Sequence, residues 1–158
     1  MINRTKINLE ETYGETIKYY KKYQKNVIGV ISDLEFPKGE ILNKNAGFLF
    51  VKQITKKNRN LPVLLQSTNT NYRDKSESMG FHFNHKRSHG MLRDLRKWLL
   101  DYVGFGDFIF KNEIGEITGK AKDMISFYDQ IKKVPIKSLI FHGKNDNFST
   151  WLYARGEF

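Results

Sequence analysis

Apolar residues recur along this chain in two alternating patterns. Tyr13, Ile17 and Tyr20 stand at i, i+4 and i+7 within residues 10–25, a spacing that gathers them on one face of a helix. Residues 27–32 then form a continuous, mostly apolar run, the character of a strand buried in a parallel sheet, and the run ends on a carboxylate, Asp33. After a loop with Pro37 and Gly39, a helix is predicted over 45–57 with Ala46, Phe50 and Ile54 on one face. A second buried strand follows at 62–66, a polar stretch with a short helix at 67–79, and a third strand at 81–84. Met91, Leu92, Leu95, Trp98, Leu99 and Tyr102 mark a strongly amphipathic helix. A further short strand is predicted at 5–9.

Strands that alternate with helices imply a parallel sheet, because parallel neighbours need crossover connections. The fold class is therefore α/β. Beyond residue 104 the pattern changes: a short strand at 108–110, a turn at 112–115, then a helix face made of Ala121, Met124, Ile125, Tyr128 and Ile131. Pro135 suits the first turn of another helix, and Asn147 or Ser149 is placed to cap a last one bearing Trp151 and Leu152. The expected organisation is a sheet domain over 1–103 and a small, mainly helical C-terminal appendage over 104–158.

The 158 residues suffice for one domain with a core, or one plus an appendage. There is no cysteine, which excludes disulfides and thiolate zinc sites and makes a reducing compartment, the cytoplasm, the default expectation. No run approaches the roughly 18 apolar residues that a membrane span requires. The net charge of +10 raises nucleic-acid binding as a reading. Residues 1–103 hold 19 of the basic residues against 10 acidic ones, whereas 104–158 hold 8 against 7. Most of the excess is scattered lysine on solvated faces, so that reading ranks last, with residues 86–97 as its best footprint.

The strand ends carry the candidate chemistry. Asp33, Ser67 and Lys86 fall at or just beyond the carboxyl ends of the three predicted strands, where α/β sheets gather ligands. A carboxylate can accept a phosphoryl group, an ammonium can pair with carboxylate or phosphate, and a hydroxyl can hydrogen-bond the new oxygens. Each residue alone also has a plainer role as turn cap, loop hydroxyl or solvated charge. His82, His85 and His89 do not share a face, which weakens a metal reading. His142 with Asn145 and Asp146 is better read as a structural cluster than as a catalytic one.

Three segments, VISDLEFPKGE, LPVLLQS and MGFHFNHKRS, together resemble the receiver domain of bacterial response regulators. The resemblance implies an incomplete receiver-like (flavodoxin-like) parallel sheet flanked by helices. It makes Asp33 the phospho-acceptor, Ser67 and Lys86 the switch residues, and the backbone carbonyl of Glu35 a neighbour of Mg²⁺ beside Asp33. Receiver domains open with a strand ending in paired acids, and that strand-helix unit is missing here, so a fragment of a longer protein is expected. With GFGDFIFKNEIGEITGKAKDM and VPIKSLIFHGKNDNFSTWLYARGEF following, the chain from about Thr12 is similar to the N-terminal regulatory region of phosphoenolpyruvate synthase-like or pyruvate, phosphate dikinase-like proteins. That implies a non-catalytic regulatory or scaffolding segment of an ATP-dependent phosphotransferase. Its partners would be downstream ATP-binding and phosphotransfer domains, and Asp33 a vestigial acceptor. A protein-interaction module that never meets phosphate is the alternative.

Overall fold

The computed structural model describes Ile7 and residues 9–155. The chain divides into two compact units, one ending at Arg96 and the other beginning at Lys97. The division falls inside a helix. The expected strand at 5–9 lies largely outside the described residues.

In the first unit, helix α1 (Tyr13–Tyr23) starts at Thr12, whose hydroxyl oxygen accepts the Glu15 N–H. Such a cap satisfies one of the four donors that a helix start leaves open. Strand β1 (Val30–Asp33) leads into a hairpin of β2 (Phe36–Lys38) and β3 (Ile41–Asn43), followed by α2 (Ala46–Thr55), β4 (Val63–Ser67), α3 (Tyr72–Ser78) and β5 (His82–His85). Helix α4 (Met91–Tyr102) carries the chain across the division.

β1, β4 and β5 form a parallel three-stranded sheet in that order, with Ile31 opposite Leu64 and Leu64 opposite His82. Helices flank it. Leu34, Phe48, Phe50, Val51, Ile54, Leu61, Val63, Leu65 and Phe83 make one buried cluster, and Tyr13, Ile17 and Tyr20 of α1 pack against it. The helical period read in α1 thus faces the core. Six of the ten residues of α2 are buried, so α2 is the central helix of this unit.

The β2–β3 hairpin was not expected, because Pro37 and Gly39 read as loop. Its two-residue turn has positive φ at Gly39 and not at Glu40, the pattern of a turn that opens with glycine. Pro37 sits in a two-stranded ribbon, where a strand has a free edge and can lack a donor.

In the second unit, β6 (Phe108–Lys111) and β7 (Ile117–Ala121) pair antiparallel, with a register shift between Phe110 and Lys111. Helices α5 (Met124–Ile131), α6 (Ile136–Lys144) and α7 (Asn147–Arg155) follow. Asp123 and Ser126 close a reciprocal capping box at the start of α5. Phe108, Phe110, Ala121, Phe127, Val134 and Trp151 form the core, with Phe127 stacked on Trp151 at 4.9 Å between centroids.

Two expectations change here. β7 gives no apolar run in sequence, since Gly119 and Lys120 interrupt it. The face assigned to the helix after residue 121 is also not the buried one: Ala121 belongs to β7, Phe127 is the buried residue of α5, and Ile125 is 78% exposed. Tertiary contact with β7 decides which stripe of so short a helix is covered. No helix among the described residues is long and apolar enough to cross a membrane.

Candidate functional site

The carboxyl rim of the parallel sheet is assembled by backbone hydrogen bonds that continue past the strand ends. The Leu34 N–H donates to the Gln66 carbonyl at 3.0 Å, and the Lys86 N–H donates to the Ser67 carbonyl at 3.0 Å. Asp33, Ser67 and Lys86 accordingly sit at adjacent positions along one rim. Helix α2 closes against the first of them, with the Gly47 N–H donating to the Leu34 carbonyl at 3.1 Å. The Ser32 hydroxyl donates to the Asp33 carbonyl at 2.8 Å.

Asp33 and Lys86 meet directly. The Lys86 ammonium donates to Asp33 Oδ2 across 53 residues of chain. Their side chains are 44% and 35% exposed respectively. Water therefore reaches both charges, and a pair of this exposure contributes about 0.2–1 kcal/mol.

Ser67 is engaged differently. Its side-chain oxygen accepts the Asn69 N–H at 3.0 Å, closing the turn that follows β4, and the residue is buried. Next to it on β5, the His85 ring meets the Thr68 carbonyl at 2.9 Å through Nε2. A carbonyl only accepts, so Nε2 carries the proton. Glu35 occupies the bend between β1 and β2 and is half-buried.

Asp33 and the backbone of Glu35 are the oxygen donors that could contribute to a magnesium site at this rim. Magnesium keeps several waters and takes one or two carboxylates, and here Oδ2 of the Asp33 carboxylate has an ammonium against it. Among the described residues no group of three His, Cys, Asp or Glu side chains gathers to hold a metal.

Sequence reasoning passed over two rim residues. Gln66 and Asn84 are the cross-strand partners that continue the row begun by Asp33. Asn84 is buried, donates from Nδ2 to the Met91 carbonyl at 3.1 Å, and leaves its Oδ1 without a partner among the described residues. An amide inside the run Phe-His-Phe-Asn-His was the available signal, because a buried strand seldom holds a polar side chain without a purpose. In the basic stretch 86–97, Lys86 and Arg93 are paired with Asp33 and Asp94, which lowers the charge it offers. His142 lies in the aromatic core of the second unit with both ring nitrogens hydrogen-bonded.

No family model, curated protein or solved structure matches the chain.

Proposed function

We propose that the unit ending at Arg96 is a non-catalytic, receiver-like regulatory scaffold of a phosphoenolpyruvate synthase-like phosphotransferase. In this reading the Asp33–Lys86 pair is a clasp between strands and not a working phospho-switch. The ion pair at the rim carries the reading. A phospho-acceptor must have its carboxylate free to attack phosphorus and enough cationic charge nearby to offset the crowded anions. Here the Lys86 ammonium lies against Asp33 Oδ2, and in the clasp reading that contact holds two strands together instead of receiving a phosphoryl group. The sheet and its helices then serve as a docking body for the downstream ATP-binding and phosphotransfer domains of a longer parent chain.

The test is incubation of the full chain with Mg²⁺ and acetyl phosphate, followed by intact mass. A clasp leaves the mass unchanged. Transfer of one phosphoryl group per chain with release of acetate, abolished in Asp33→Asn, would overturn the clasp and make the rim a switch. The phosphotransferase assignment stands on the neighbouring coding sequence: an ATP-binding region in the same reading frame supports it, and a stop codon after Phe158 in the genome counts against it.

A further inference from the structure

The register shift in the β6–β7 hairpin puts Lys111 at an irregular point of the ladder, and helix α6 grips that residue twice. The Ser138 hydroxyl donates to the Lys111 carbonyl at 2.8 Å. One turn further along the helix, Nε2 of His142 accepts the Lys111 N–H at 2.7 Å. An N–H must find a lone pair, so Nε2 is unprotonated and the neutral ring holds its proton on Nδ1. Nδ1 then donates to Asn147 Oδ1, at 2.9 Å, in the first turn of α7. One imidazole thus joins β6, α6 and α7.

The site is closed. His142 is 4% exposed, with the ring of Phe108 at 4.9 Å and that of Phe141 at 5.0 Å, and Phe110 and Phe148 completing the enclosure. Lys111 of β6 is the charged group that acts on the ring, and it opposes a second positive charge; α7 presents the neutral Asn147 amide. Burial, the larger cause, pushes the imidazole below its ordinary range, Lys111 adds to this, and the Asn147 hydrogen bond works against it.

We infer that His142 is an acid-operated latch: neutral, it fastens α6 and α7 to the hairpin, and protonated, it sets a second donor against the Lys111 N–H and releases them. The sign follows from linkage. The released ring binds a proton near its ordinary value of about 6.5, whereas the fastened ring resists until lower pH. The latch is therefore closed above that value. It loosens by up to about tenfold per pH unit as pH falls from there through the fastened ring's own value.

The experiment is site-resolved hydrogen exchange on the full chain from pH 7.5 to 5.0, corrected for intrinsic rates, with ring ¹⁵N shifts recorded alongside. Protection of the Lys111 amide is expected to fall toward tenfold per pH unit below about 6.5, while the Leu64, Leu65 and Gln66 amides of the other unit stay level. His142→Gln retains a carbonyl acceptor that does not titrate, and its Lys111 protection is expected to be flat. Constant protection in the wild type, an equal fall in His142→Gln, or a proton on Nε2 at pH 7.5 would each overturn the latch. Should His142→Gln fail to fold, the wild-type exchange and ring shifts decide alone.

Discussion

Gly14 and Gly47 occupy the same position, the second residue, of α1 and α2, yet alanine should act oppositely at the two. A Cβ on Gly14 meets nothing within 4 Å. A Cβ on Gly47 would lie 2.8 Å from the Leu34 Cα and closer still to the Asp33 carbonyl oxygen. Both of those atoms are backbone and cannot swing aside. Restoring a carbon contact to about 3.5 Å requires α2 to retreat from the end of β1 by most of an ångström. Forced overpacking of this kind costs about 1–3 kcal/mol. Alanine's helix advantage over glycine returns at most about 1 kcal/mol. Gly47→Ala should therefore lose about 1–2 kcal/mol, a roughly 5- to 30-fold shift in the opening equilibrium, whereas Gly14→Ala should be neutral or gain up to about 1 kcal/mol. Native-state exchange of the β4 amides reads this unit separately from the other. Equal stabilisation by both substitutions would refute the close seat of α2 on β1 and, with it, the support given to Asp33.

A double-mutant cycle on Asp33→Asn and Lys86→Met should give a coupling of about 0.2–1 kcal/mol at low salt that shrinks in 1 M salt; a coupling of several kcal/mol that ignores salt would mean the pair is not solvent-accessible. Ser138→Ala removes a fully buried hydroxyl that donates to the Lys111 carbonyl and accepts from Thr118. It should destabilise the second unit by about 1–3 kcal/mol in exchange or thermal melts, and an unchanged midpoint would show that the Lys111 carbonyl is satisfied otherwise.

The rim was readable because each of its residues closes a locally recognisable run. Val30 to Asp33 and Val63 to Ser67 announce themselves as strands, so their last residues fall at a carboxyl edge whatever the sheet order, although β1 proves an edge strand with Ile31 exposed instead of the buried strand expected. The hairpins were harder. β2 contains Pro37 and β7 contains Gly119 and Lys120, residues that argue locally for loop; they are strands because a partner lies alongside. Gly119 is held there by crowding, since a Cβ would come within 2.8 Å of Val134. The exposed Ile125 and Tyr128 of α5 show the same limit from another side: hydrophobicity at helical spacing identifies a helix but not which stripe its neighbours cover.

By itself, the order of residues determined that this protein alternates helix with strand, that its sheet is parallel, and that an acid, a hydroxyl and an ammonium stand at strand ends. Those are consequences of side-chain period and of the short reach of local sterics. Only the tertiary structure decided that Lys86 closes on Asp33 while the Ser67 oxygen turns to its own loop, and that His142 meets Lys111 and Asn147 in an aromatic enclosure. Each of these pairings depends on a register set by distant strands and helices, and a periodicity read within one segment contains no information about its partner.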